Sequence, residues 1–333
     1  MSATRALRRR DAARWAGLLL VGSMVACALA APFVAPNAPG TQFPDRAYAP
    51  PMRVHVRDAS GLHAPFVYRQ RLENRLLRTF RDDTSSRVPL IWFTRGHLVA
   101  IDDAQGPLLW FGADALGRDL FSRLVFGARL SLGVAIIGVL GALGLGACVG
   151  AAAGAGGRRL DMTLMWLADL ILVLPGAYLV LVLRNVLPLH LTTGTVFWWI
   201  AGLFALSAWP HVARGVRAIV AAERTRDYAE AARAMGAGPV RVMRHLLPAA
   251  NGFLIVELVL LLPAMLVAEA TISVLGLGFP GPAPSWGVML QDAANVGVLS
   301  TAPWMLAPAV ALFVVTLGVQ LAAGGRDLAR PRV

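Results

Sequence analysis

The chain has 333 residues, 57% of them hydrophobic and 15% charged, with a mean hydropathy of +0.61 and a formal charge of +12. That composition excludes an ordinary soluble domain and points to an integral membrane protein. All 31 basic side chains are arginine, so the chain has neither the amine of a Walker A phosphate loop nor that of a lysine Schiff base.

Arg5, Arg8, Arg9, Arg10 and Arg14 precede an apolar run from Trp15 to Val34. The run is long for the apolar core of a signal peptide. Ala28-Leu29-Ala30 imitates a cleavage site, but further spans follow, so the run is expected to remain as the first transmembrane helix. The other expected spans are approximately Leu130 to Ala153, Leu160 to Leu183, Thr195 to Val212, Leu254 to Leu275 and Trp304 to Ala323. Cys27 and Cys148 each lie inside an apolar run, the six histidines show no ligand pairing, and no nucleophile stands beside a base. Disulfide, metal and hydrolase readings therefore have no local support.

Residues from about 35 to 110 form a polar insert. The alternation Arg53-Val54-His55-Val56-Arg57 reads as a strand, and Leu90-Ile91-Trp92-Phe93 followed by His97-Leu98-Val99 predicts a hairpin around Arg95-Gly96. Next comes the stretch from Phe111 to Leu132. Asp114 can cap a helix that places Leu116, Leu120 and Leu124 on one face and keeps Arg118, Asp119, Ser122 and Arg123 polar, as suits the outer membrane interface. In the second span Gly146, Gly150 and Gly154 recur every four residues and permit close helix contact. Asp169, Glu257 and Glu269 lie in or near apolar spans, where an ionisable group must face protein or water. Asp169 and Glu269 are candidates either for a translocation pathway or for interhelical hydrogen bonding. Pro175, Pro263 and Pro308 interrupt helices.

The segment from Arg224 to Pro248 reads as a helix, a glycine turn at Gly236 and a second helix opened by Pro239 and closed by Pro248. A basic amphipathic helix lying on anionic lipid is the competing reading. Ala231 and Ala232 favour docking against protein, because a lipid-binding face presents large apolar residues. Placing the N-terminus in the cytoplasm puts Arg158, Arg159, Arg214, Arg217, Arg224, Arg226, Arg233, Arg241, Arg244, Arg326, Arg330 and Arg332 on the cytoplasmic side. The loops from Asn185 to Gly194 and from Gly276 to Pro303 contain no arginine. This asymmetry puts both termini and the helix-turn-helix loop in the cytoplasm, and the basic excess is read as facing anionic lipid, not nucleic acid.

Glu230-Ala231-Ala232, with Gly236 and Leu247-Pro248 after it, resembles the cytoplasmic EAA loop of the membrane subunits of ABC importers. Asp114 to Leu132 is similar to the GTDxxGRDxxSRxxxGxRxSL signature of dipeptide, oligopeptide and nickel permeases, with Ala113 where that family usually has Thr. Ala268-Glu269-Ala270, Leu275 to Gly278, Pro284 to Gly287 and Thr301 to Trp304 are similar to further elements of the same family, in the same order.

The resemblance implies an all-α polytopic permease of the type I ABC importer fold, with six transmembrane helices and a small extracytoplasmic β-containing insert. It implies no catalysis and no cofactor in this chain, with ATP and Mg on partner ATPases. The implied partners are a homologous second permease subunit, two ABC ATPase subunits and an extracytoplasmic substrate-binding protein, in a bacterial inner membrane. The implied solutes are di- or oligopeptides, with nickel chelates or oligosaccharides as alternatives; a self-contained secondary transporter is a further alternative. Glu230, Ala231, Ala232, Gly236 and Pro248 are the implied ATPase-coupling residues, and Asp114, Gly117, Arg118 and Asp119 belong to the expected outer interface helix. The expected divisions are 1–34, the N-terminal segment and first helix; 35–110, the insert; 111–327, the permease core with its coupling loop at about 213–250; and 328–333, the tail.

Overall fold

The computed structural model describes residues 2–58, 61–75, 78–94, 96–173 and 192–324. Two compact units divide the chain. One comprises Met1–Gly17, Leu132–Glu269 and Val319–Val333, and the other Leu18–Ser131 and Ala270–Gly318.

Among the described residues five helices are long and apolar enough to cross a membrane. They are Asp11–Leu29 within α1 (Ser2–Leu29), α3 (Leu120–Ala155), α5 (Thr193–Glu223), Met243–Val274, which ends in α8 (Asn251–Val274), and Pro303–Ala323, which ends in α11 (Ala307–Ala323). A four-residue α2 (Ala31–Val34) follows α1, and α4 spans Arg158–Val173. The expected span from Leu160 to Leu183 is seen as α4 up to Val173, and the remainder lies outside the described residues, as does Pro175.

Two helices outrun their expected bounds. The 36 residues of α3 reach about 54 Å at 1.5 Å per residue, well beyond a hydrocarbon core of roughly 30 Å. α5 continues past Val212 to Glu223, so Arg214 and Arg217 are helical and not part of a loop. Pro263 sits inside α8, and Pro210, which the sequence reading did not single out, sits buried inside α5. Pro308 falls in the first turn of α11, where its missing N–H leaves no helical bond unmade.

In the first unit the glycine stripe of α3 lies against α5. A Cβ on Gly146 would fall 2.5 Å from Val212 Cβ, one on Gly150 2.4 Å from the Ala213 carbonyl oxygen, and one on Gly154 2.8 Å from that of Arg217. The helices meet at distances only glycine allows. Beside this seam Ala151, Val212, Val216, Val220, Ala229, Leu246 and Ala250 form one buried cluster.

In the second unit the expected strand at Arg53–Arg57 is β1 (Val54–Asp58), which joins β2 (Gly61–Asn74) and β3 (Thr79–Pro89) in an antiparallel sheet of order β1-β2-β3. Val67 and Val88 are register partners and both are buried, so the sheet turns one face to a core that includes Met52, Leu90, Leu108 and Leu109. The expected hairpin around Gly96 is β4 (Ile91–Thr94) paired with β5 (His97–Ala100). The arginine-free segment after Gly276, read as a loop, carries two helices. α9 (Trp286–Ala293) is capped by Ser285 Oγ, which accepts from the Val288 amide at 3.1 Å, and α10 (Val296–Thr301) by Asn295 Oδ1, which accepts from Gly297 at 2.9 Å. Trp286 is fully buried, and its indole N–H donates to the Leu124 carbonyl at 2.9 Å.

Candidate functional site

Two constellations gather the residues that the sequence singles out, one in each unit. The first is the helical hairpin between α5 and α8. α6 covers Asp227–Ala234, and α7 covers Pro239–Leu246 with Pro239 at its start. Between them Gly236 holds a left-handed φ of +81°, and the Ala237 amide donates to the Ala232 carbonyl at 3.0 Å. That six-to-one bond across a left-handed glycine is the Schellman closure of a helix, so the turn follows from one residue without a Cβ. Pro248 does not close α7. It lies in a 3₁₀ turn (Leu247–Ala250) through which the chain passes into α8, because a proline near the start of such a turn has no N–H bond to lose.

Ala229, Leu246 and Ala250 anchor this hairpin in the buried cluster with Val212, Val216 and Val220. The opposite side of the hairpin presents Tyr228 and Ala231 of α6 and Met235 of the turn that follows it, spaced three and four residues apart and all exposed, Met235 by 82%. Glu230 is exposed as well, whereas Ala232 is half-buried. Of the two expected contact alanines, therefore, only Ala231 lies at the centre of an open face. Tyr228 and Met235 were missed by the sequence reading, although their spacing around Ala231 carried the signal.

The stem is tied to the turn between α3 and α4 and to the first turn of α4. Arg224 Nη1 donates to the Gly156 carbonyl at 2.7 Å, and Arg217 grips Asp161 through both nitrogens of its fork, Nη2 to Oδ2 at 2.6 Å. A cavity of about 450 Å³ beside these contacts is lined by Gly156, Asp161, Arg217, Arg224 and Glu230, among others. Asp169 pairs with Arg214, joining α4 to α5 with both side chains about half exposed. Glu269 is fully buried in α8.

The second constellation corrects the expected outer interface helix. No helix starts at Asp114. Asp114, Gly117, Arg118 and Asp119 form a turn ahead of α3, which begins at Leu120. Gly117 has φ +72°, and a Cβ there would lie 2.0 Å from the Phe43 carbonyl oxygen. Asp114 Oδ1 accepts from the amides of Leu116 and Arg118, each at 2.9 Å, and such side-chain bonds compete with a helical backbone. The side chains expected on a polar outer face are among the most buried in the chain: Arg118, Asp119, Ser122 and Arg123 are each at most 6% exposed.

Burial is tolerated because the charges are paired. Asp114 Oδ2 accepts from Arg118 Nε at 2.6 Å and stands 3.4 Å from Arg123 Nε, while Arg118 Nη2 reaches Asp292 at 3.3 Å. Burial raises the Asp292 carboxyl above its ordinary value, against the pull of Arg118. Asp119, not Asp114, caps α3, accepting from the amides of Phe121 at 3.1 Å and Ser122 at 3.3 Å, from Ser122 Oγ, and from Asn37 Nδ2 at 3.0 Å. Burial pushes the Asp119 carboxyl up from 3.8 to about 6, with these hydrogen bonds opposing. The folded state thus favours its protonated form. That contribution to stability is complete below 3.8 and is lost as pH rises through about 6. The melting temperature should therefore decline across that window, and Asp119→Asn should flatten the decline; an unchanged slope in the variant would show that another group sets it. Among the described residues no group of three or more His, Cys, Asp or Glu side chains is placed to hold a metal.

Comparison with known proteins adds the family. Residues 146–324 match the family model described as the binding-protein-dependent transport system inner membrane component, and residues 2–51 match the N-terminal TM domain of oligopeptide transport permease C. The chain is 37% identical over 238 residues to a putative peptide permease of Brucella ovis, covering 71% of this chain and 77% of that one. It is 34% identical over 244 residues to the oligopeptide transport system permease protein OppC of Bacillus subtilis, covering 72% and 77%. It is 38% identical over 214 residues to the nickel transport system permease protein NikC of Escherichia coli, covering 64% and 74%. A multi-pass chain whose glycine-closed helical hairpin stands between two apolar helices, and of which more than half matches this one family, belongs to the binding-protein-dependent transport system inner membrane components.

Proposed function

We propose that this permease conducts short peptides into the cytoplasm as one of two homologous membrane subunits, above two ATPase subunits and below an extracytoplasmic binding protein. The peptide reading is supported by the names of the similar permeases from Brucella ovis and Bacillus subtilis; the nickel permease is a related alternative. The observation that carries the coupling role is the exposed face of α6 and its closing turn, Tyr228, Ala231 and Met235, held out by the left-handed Gly236 and rooted on α5 by Ala229.

Its mechanism is differential binding. ATP closure of the ATPase pair moves α6 and α7, and the ties from Arg224 to Gly156 and from Arg217 to Asp161 carry the displacement to the α3–α4 turn and the first turn of α4. ATP and Mg stay on the partner subunits, and this chain supplies only packing, hinge and docking surfaces. Co-expression with its partners and reconstitution into liposomes should give ATP-dependent uptake of labelled di- and tripeptides. Uptake of a nickel chelate with none of peptide would reassign the solute.

The arginine asymmetry supports an orientation with both termini and the α6–α7 hairpin in the cytoplasm. With Cys27 and Cys148, both free and exposed, replaced by serine, single cysteines at the exposed positions Ala294 and Ala222 report the two sides. In intact cells an impermeant thiol reagent should label the first and spare the second. Labelling of Ala222→Cys from outside would overturn the orientation.

A further inference from the structure

Within the unit formed by Leu18–Ser131 and Ala270–Gly318, a cavity of about 670 Å³ is lined by separate stretches of the chain. Tyr48 comes from the start of the insert, Arg78 from the β2–β3 connection, Phe80 from the start of β3, and Asn295, Thr301 and Trp304 from around α10. Most of its polar groups are already engaged. Asn295 Oδ1 accepts from Gly297, Thr301 Oγ1 donates to the Gly297 carbonyl at 3.3 Å, and the Trp304 indole donates to the Ala113 carbonyl at 3.2 Å.

Arg78 is different. Its guanidinium lies 4.9 Å over the Tyr48 ring, and among the described residues it makes no ion pair. Arg71, Arg75 and Arg81 of the same hairpin, by contrast, each stand within 4 Å of a carboxylate. Arg78 and Tyr48 also share an unusual backbone, with φ of +49° and +56°. Side-chain-bearing residues avoid that region unless the surroundings enforce it, and such residues gather at ligand clamps. The Tyr48 amide in turn donates to the Asp114 carbonyl at 3.0 Å, which fixes this wall to the ion cluster at the head of α3.

A planar fork without an acid, stacked on one aromatic ring beside two more, is suited to a carboxylate carrying an apolar neighbour. The volume is that of a small-ligand pocket. We propose that this cavity is a carboxylate site for a short peptide segment, in which Arg78 takes the anion and Phe80 and Trp304 flank the adjoining side chain. The carboxylate comes from the C-terminus of a free peptide or from an acidic residue of the delivering binding protein. The ligand class rests on the peptide-permease reading and on the orientation that places the cavity outside the cell. The test needs neither ATP nor uptake, so the two readings can fail separately.

The probe is acetyl-Ala-Ala-Phe with a free carboxylate, set against its C-terminal amide, titrated into the full chain in nanodiscs. If the source is free peptide, the acid should bind at least tenfold more tightly than the amide. Arg78→Gln should then reduce the acid to the level of the amide, and Arg78→Lys should keep part of the difference. If the source is the binding protein, the acid shows no such preference. Affinity of the assembled complex for its binding protein should instead fall at least tenfold in Arg78→Gln and weaken with salt. Thr301→Trp, which fills the cavity from an exposed position on α10, should reproduce whichever loss Arg78→Gln gives. Arg78→Gln and Thr301→Trp variants that stay monodisperse and lose neither interaction would overturn the proposal.

Discussion

Asp114→Ala should be the most damaging single change in the extramembrane turn, lowering stability by about 3–5 kcal/mol because it leaves the buried Arg118 and Arg123 guanidinium groups without their shared partner. The loss of two amide bonds to Oδ1 adds about 1 kcal/mol each. Arg123 is fully buried, and its Nε and Nη2 already lack a well-formed hydrogen bond, so little else near it can take up the charge. Asp45→Ala is the matched control, since Asp45 pairs with Arg75 where both side chains are more than 70% exposed, and such pairs contribute about 0–1 kcal/mol. Thermal melts of the detergent-solubilised protein check both. An Asp114→Ala melt that matches Asp45→Ala would show that the cluster does not hold this turn together.

The coupling hairpin should respond in function, not in folding. Gly236→Val meets open space but forces a β-branched residue to φ +81°, at a local cost of about 1–3 kcal/mol, and so reorients α7 against α6. Ala231→Trp adds bulk between Tyr228 and Met235 on an exposed face and disturbs no buried contact. Both proteins should insert and purify normally, and both should lose most peptide uptake, with the ATPase detached or hydrolysing ATP without transport. Ala294→Ser, in the other unit, should leave uptake unchanged. Full uptake with normal ATPase association in both loop variants would exclude the hairpin as the coupling element.

Much of this was legible in sequence where one residue type decides one conformation. Gly236 and Pro239 announced the turn and the second helix, the alternation around Val54–Val56 announced a strand, and the Gly146, Gly150 and Gly154 stripe announced a tight helix seam. The turn at Asp114 was not legible, because an amphipathic pattern does not say whether its polar face meets water or other charges. The partners that decide it, Asp292 and the Pro282 carbonyl, lie 174 and 159 residues away from Arg118 and Arg123. α9 was hidden for a related reason: it rests on the Ser285 cap and on a Trp286 anchored to Leu124, neither of which has helical periodicity. The choice between Ala231 and Ala232 depended on where Ala229 packs, a tertiary fact. The pairing of Asp169 with Arg214 is likewise a tertiary fact that no local pattern announces.

On the proposed coupling role, the exposed face of α6 meets an ATPase subunit. A photo-crosslinking amino acid in place of Met235, which is 82% exposed, tests it in cells that express the whole transporter. One crosslinked product containing this permease and the ATPase chain is expected, lost when Ala231→Trp is added. Crosslinking to lipid alone, or an ATPase adduct that survives Ala231→Trp unchanged, would contradict it.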